Sequence, residues 1–202
     1  MNSEERARLV KATELCHRWH AEQQRKTTQI PYVSHLLQVE GLVLEHGGDS
    51  DQAIAALLHD SLEDAPDSEE RALRETEIRA RFGPRVLDIV LDCTDTGRDE
   101  FLKKKKAWKE RKDRYLEQLR RAPARTHLVA ACDKRHNLHA IVYDVKTSGP
   151  DVFDRFTATP SQCLWYYTSV IEILRSSLPG RLVDELDDLL EELRAQVAAL
   201  DA

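Results

Sequence analysis

The sequence predicts an all-α fold, a compact helical bundle, from three observations. Apolar residues recur mainly at spacings of three and four along most of the chain. Only seven Gly and seven Pro occur in 202 residues, too few for the many tight turns of a sandwich or barrel. No segment alternates apolar and polar residues as a half-buried strand does. A chain of this length, 41% hydrophobic and 33% charged, can bury a sizeable core, and one domain over 1–202 is expected.

The first helix is expected over Glu4–Gln24, with Ser3 as N-cap and acids in the first turn. A polar loop, Arg25–Pro31, leads to a second helix near Tyr32–His46 that Gly47 and Gly48 stop. The third, Ser50–Leu62, opens with acids and turns apolar from Ala53. Asp67 and Glu70 have capping-box spacing for a fourth helix ending at Phe82-Gly83. Pro84 suits the first turn of a fifth helix to Cys93. After an irregular loop over 94–107, helices are expected at Trp108–Arg121, Ala124–Lys146, Ser161–Ser177 and Arg181–Ala199. The metal and pocket motifs fall in 25–145, and the helices at 161–199 are expected to pack on that part.

The formal net charge is −6, but it is unevenly spread. Residues 103–114 carry eight basic side chains against Glu110 and Asp113, whereas 180–202 carry seven carboxylates against Arg181 and Arg194. One basic stretch in an acidic chain suggests a local anion site rather than a surface that coats nucleic acid. No apolar run approaches the ~20 residues of a membrane span, so no membrane association is expected. The charged N-terminal stretch has no apolar core of a secretory signal. Cys16, Cys93, Cys132 and Cys163 lie far apart, as suits reduced thiols, and a cytoplasmic location is expected.

Chemistry concentrates in Leu57-Leu58-His59-Asp60-Ser61-Leu62-Glu63-Asp64. On a helix, His59 and Glu63 share a face, as do Asp60 and Asp64. Three half-buried carboxylates beside an imidazole repel one another unless a cation neutralises them. A divalent metal would do so, with His59 and Asp60 as ligands and Glu63 and Asp64 left for proton chemistry. His35, among apolar residues of the second helix, and Asp133, inside the long apolar helix, are the further ligand candidates. Asn137 lies one turn after Asp133 on the same side. Two His and two Asp suit Mn²⁺, Fe²⁺ or Co²⁺ and tolerate Mg²⁺ or Zn²⁺.

The order His35, His59-Asp60, Asp133 resembles the metal signature of the HD superfamily. The stretches Arg25–His35, Leu57–Ala65, Arg81–Asp95 and Asp133–Leu138 resemble more narrowly the hydrolase domain of RelA/SpoT homologues, closest to the stand-alone small alarmone hydrolases. That resemblance implies an HD-type helical fold and Mn²⁺-dependent removal of the 3′-pyrophosphate of (p)ppGpp, giving GDP or GTP. It implies His35, His59, Asp60 and Asp133 as metal ligands and Glu63 and Asp64 as the acidic pair that activates water. It also implies that Arg25, Lys26, Thr27 and Asn137 border an anionic nucleotide. Thr27 stands where the family commonly has Ser, and Arg135 where it commonly has an apolar residue. The alternatives are an HD phosphohydrolase acting on adenosine alarmones or other nucleotides, and a catalytically silent binding domain.

His17 and His20, at helical spacing, read as packing or surface. His136 or His139 could orient a ligand through a hydrogen bond. Trp165-Tyr166-Tyr167 reads as core rather than as a base-stacking platform. Tyr143 could touch a nucleotide base, and part of Lys103–Arg114 could overlook the pocket. No phosphate-binding glycine loop or nucleophile elbow is present in the sequence.

Overall fold

The computed structural model describes residues 1–26, 28–95, 108–155 and 158–200. Among them lie nine α-helices: α1 Ser3–Trp19, α2 Val33–Glu45, α3 Ser50–Leu58, α4 Ser68–Phe82, α5 Pro84–Cys93, α6 Trp108–Arg121, α7 Ala124–Ser148, α8 Pro160–Leu174 and α9 Gly180–Ala198. Thr27, and the part of the basic stretch at 103–107, lie outside the described residues. The all-α expectation holds, and no described helix is long and apolar enough to cross a membrane.

Helix α3 is the axis of the bundle. Every residue from Ala53 to Leu58 is at most 1% exposed, and the helix packs against α1, α2, α5 and α7. A helix apolar on all sides has no solvent face, so it must lie inside. The first half of α7 is built the same way, buried continuously from Thr126 to Asp133 before becoming amphipathic. Helix α9 packs on α7 and α8, and α6 packs on α8.

The helix ends differ from the sequence expectation where side chains compete for backbone groups. Helix α1 is capped by Asn2 rather than Ser3, because Asn2 and Glu5 close a reciprocal capping box. It stops at Trp19, five residues early, and Gln23 and Arg25 then pair with residues further on, Arg25 N–H donating to Ile30 O at 2.8 Å and Tyr32 N–H to Gln23 O at 2.9 Å. Helix α3 ends at Leu58, not Leu62, as Ser61 Oγ donates to Leu58 O at 2.6 Å and His59 Nδ1 lies 2.7 Å from Ala56 O. These side chains take the last carbonyls that further helical N–H groups would need. At α4 only half of the expected capping box forms. Asp67 accepts from Glu70 N–H, but the Glu70 carboxylate pairs with Arg74 instead.

Helix α2 ends as its two glycines suggest. Gly47 has φ +83°, and the N–H groups of Gly47 and Gly48 donate to Leu44 O and Val43 O, a Schellman motif. A Cβ on Gly48 would fall 2.7 Å from Val43 O, so that position admits no side chain. This closure lets α3 turn straight back against α2 and aligns their ends.

Ile54→Ala should lower stability by about 2–5 kcal/mol, because it opens a cavity at the centre of the bundle. Leu73→Ala, at a position 59% exposed, should change it by less than about 0.5 kcal/mol. Urea unfolding midpoints at constant m-value check both, and equal effects would contradict the central placement of α3.

Candidate metal centre

Three elements converge where α3 ends. His35 comes from the first turn of α2, His59 and Asp60 from the turn after α3, and Asp133 from the middle of α7. The His35, His59 and Asp133 side chains are buried, and one potential ligand atom from each lies within 4.8 Å of the others. His35 Nε2 is 3.2 Å from Asp133 Oδ1 and 3.6 Å from Asp60 Oδ2. His59 Nε2 is 3.0 Å from Asp60 Oδ2 and 3.5 Å from Asp133 Oδ1. Two imidazole nitrogens and two carboxylate oxygens thus face one small volume.

The rings are oriented from behind. His59 Nδ1 lies against Ala56 O, an acceptor, so Nδ1 carries a proton and Nε2 is the ring nitrogen turned to the cluster. Nε2 is buried with no hydrogen-bond partner. His35 Nδ1 lies 2.9 Å from His136 Nδ1, so His136 can fix its tautomer. Tyr32 Oη donates to Asp60 Oδ2 at 2.5 Å, and Asn137 Nδ2 donates to Asp133 Oδ1 at 2.6 Å. Lys134 pairs with the other Asp133 oxygen. An orphaned buried imidazole nitrogen, with backbone, His, Tyr and Asn partners behind the donor set, fits a divalent cation that has borderline nitrogen and oxygen preferences.

Electrostatics divide the carboxylates. Burial would raise Asp60, but the His59 and His35 imidazoles overcome it and hold its carboxyl well below the usual range. Burial likewise opposes ionisation of Asp133, and the Lys134 ammonium with both imidazoles brings it well below. Glu63 and Asp64 behave oppositely. Burial, then Asp95 and Asp60, raises Glu63 to about 7, and burial followed by Asp60 raises Asp64 to about 6. Two ligand-type carboxylates stay ionised while two neighbours are held near neutrality, which is how environments separate proton-transfer roles.

Beside the cluster opens a cavity of about 490 Å³. Glu63, Tyr32 and Asn137 form its metal-side wall, and Arg25, Lys26, Arg111, Lys112 and Lys134 give it positive charge. Arg25 Nη2 donates to Asn137 Oδ1 at 3.1 Å. Asp95 holds two of these cations in place, accepting from Arg111 at 2.9 Å and Lys112 at 2.5 Å, while its N–H donates to Glu63 at 3.3 Å. Part of the basic stretch therefore faces the cavity.

The remaining expectations fare unevenly. His17 is exposed, but His20 is 1% exposed and its Nδ1 lies 2.5 Å from Gln23 Oε1, while Gln23 Nε2 donates to Asp64 at 2.8 Å. The packing-or-surface reading missed this, because it extended α1 through residues that in fact turn back towards 59–64. Tyr166 and Tyr167 are buried as expected, yet both also line the cavity. Tyr143 is 58% exposed, stacks on His139 and is not among the lining residues, which corrects the idea that it meets a base. Ten residues along a helix place it about 80° away from Asp133. Arg135 finds a partner in Glu185 of α9 at 3.1 Å, so its charge is accommodated where an apolar residue was expected. Besides His20 and Gln23, sequence reading missed the supporting roles of Tyr32, Asp95 and Lys134. All three lie inside stretches already singled out: Tyr32 in Arg25–His35, Asp95 in Arg81–Asp95 and Lys134 in Asp133–Leu138.

Comparison with known proteins gives consistent findings. The model of a family described as HD domain matches residues 12–161. The chain is 40% identical over 93 residues to a guanosine-3′,5′-bis(diphosphate) 3′-pyrophosphohydrolase of Aquifex aeolicus, covering 46% of this chain and 12% of that protein. It is 30% identical over 135 residues to a GTP pyrophosphokinase of Streptomyces coelicolor, covering 67% of this chain and 15% of that protein. The chain thus spans only a small part of the length of these relatives. Among solved structures, a metazoan ortholog of SpoT described as hydrolysing ppGpp superposes with TM-score 0.70 and 25% identity, over 92% of this chain and 95% of that one. A Listeria monocytogenes protein superposes with TM-score 0.64 and 26% identity, over 78% and 96%.

His59→Ala and Asp133→Ala should each abolish tight binding of a divalent ion. His136→Ala should weaken it by roughly 10- to 100-fold, because it frees the His35 ring. Calorimetric titration with Mn²⁺ measures all three. Unchanged affinity in His136→Ala would show that the His35–His136 contact does not orient the ligand.

Proposed function

The chain belongs to the HD-domain family, and on that premise we propose that it removes pyrophosphate from the 3′ position of ppGpp and pppGpp, with Mn²⁺ as its cofactor. The observation that carries the reading is the junction of two features. A cluster of two His and two Asp, buried except for Asp60, lies beside a cavity with five cationic side chains, and Tyr32 and Asn137 of the cavity wall hydrogen-bond Asp60 and Asp133 of the cluster. A substrate with two phosphate chains needs both a Lewis-acid centre and distributed positive charge. When bound, a divalent ion would acidify a water and offset charge on the attacked phosphate. The names of the Aquifex relative and of the metazoan neighbour support the same substrate.

His35, His59, Asp60 and Asp133 would hold the ion. Arg25, Lys26 and, outside the described residues, Thr27 would border the nucleotide, and Asn137 would join Arg25 to the ligand Asp133. Arg111, Lys112 and Lys134 supply the charge that draws phosphates in and steadies the developing negative charge. Glu63 reaches the cavity and accepts the proton of the attacking water, a task suited to a carboxylate raised to about 7. Asp64, fixed by Gln23, is the second proton carrier of the pair. The four cysteines are free and buried, which fits a reducing compartment, and the cytoplasm is the proposed location.

With Mn²⁺, the purified protein should release pyrophosphate from ppGpp and pppGpp, and leave ordinary nucleoside triphosphates intact. Product identification decides the matter, since release of orthophosphate would contradict the reaction. Glu63→Gln should cut kcat by roughly 10²- to 10⁴-fold and leave Mn²⁺ affinity unchanged. An unaltered rate in that variant would remove Glu63 from its role.

A further inference from the structure

The cavity wall contains one feature that a purely anion-binding pocket does not explain. Asp144 lines it, together with Ala140 and Ile141 of α7 and Tyr166 and Tyr167 of α8, in a cavity whose other charged walls are mainly cationic. Its carboxylate has no ion-pair or hydrogen-bond partner among the described residues. An unpaired acid is costly beside a polyphosphate unless it meets a hydrogen-bond donor on the ligand.

Helix geometry places that acid on the same face as the metal cluster. Eleven residues at 100° each bring Asp144 within about 20° of Asp133, and about 16 Å further along α7. Between them this face presents Asn137 and then Ala140, with Ile141 at its margin. The sequence of surfaces is a metal ligand, an amide, a small apolar stretch and a free carboxylate. A nucleotide laid along α7 with its 3′-phosphates at the cluster would place ribose by Asn137 and base over the apolar stretch. Its outer base edge would then point at Asp144.

Resting on the nucleotide reading of this cavity, we propose that Asp144 is a specificity-determining residue that selects guanine over adenine. An ionised carboxylate is an acceptor only. Guanine offers it two parallel donors, the N1–H and the exocyclic N2 amino group. Adenine turns the N1 lone pair towards the same oxygens and lacks the 2-amino group, so it is both unrewarded and repelled. Hypoxanthine keeps N1–H but loses the amino group, and falls between them. The carboxylate also repels phosphates from the base end of the cavity and so favours one direction of entry.

The test uses the full chain and the 3′,5′-bisdiphosphates of guanosine, inosine and adenosine. Wild type should prefer them in that order in kcat/KM with Mn²⁺. Asp144→Asn, which offers one donor and one acceptor, should lower the guanosine-over-adenosine ratio roughly 10- to 100-fold, chiefly through KM. Asp144→Ala should lose the guanosine preference without gaining adenosine activity. Calorimetric binding of the same nucleotides without Mn²⁺ reads the preference independently of turnover. Absence of hydrolysis in wild type, with guanosine-selective binding that both variants abolish, would overturn the reaction but support Asp144. A guanosine preference unmoved in both variants, or no preference in wild type by either readout, would overturn the role of Asp144.

Discussion

Burying the Asp133 carboxylate inside a core helix is the constraint on which the structure depends. Helix α7 is buried without interruption from Thr126 to Asp133, so the charge sits where water cannot solvate it. Its oxygens are met by His35, His59, Asn137 and Lys134. Each of those partners must be delivered from a different direction, and the fold accomplishes that. Helix α2 brings His35, the turn after α3 brings His59, and α7 itself brings Asn137 and Lys134. The proposed divalent ion, held by this donor set, would supply the remaining compensation.

The supporting structure follows from that requirement. Helix α3 has to end where it does, because His59 and Asp60 are useful only if they leave the helix beside Asp133. Ser61 and His59 end it by occupying its last carbonyls, and Arg74 of α4 holds the following turn by donating to Ser61 O at 2.8 Å. Arg74 in turn lies over the Trp19 ring at the end of α1. Gln118 of α6 donates to the carbonyls of Leu91 and Asp92 at the end of α5. That end carries Asp95, which positions Arg111 and Lys112 on the cavity wall. Packing, termination and electrostatics therefore act on the same few residues.

Much of this was legible in the sequence because it lies in local patterns. The periodicity located every helix to within a few residues except the end of α1, and the polar run after an apolar helix located the cluster. Asp133 was conspicuous because an acid in an apolar helix has no bland explanation. What remained hidden depends on chain reversals that periodicity cannot show. His20 and Gln23 look like the last turn of α1 until the chain folds back after Trp19 and brings them to Asp64. Tyr143 and Asp144 are neighbours in sequence, yet only the helix rotation separates an exposed ring from a carboxylate in the cavity. The tyrosines of α8 looked like core and are core, and their second role as cavity wall appears only once α6, α7 and α8 are assembled.

The most direct test of the account is anomalous diffraction from crystals grown with Mn²⁺. One strong peak is expected, bonded to His35 Nε2, His59 Nε2 and one oxygen each of Asp60 and Asp133, with Glu63 outside bonding distance. A peak elsewhere, or no peak with His59 Nε2 still unpartnered, would contradict it.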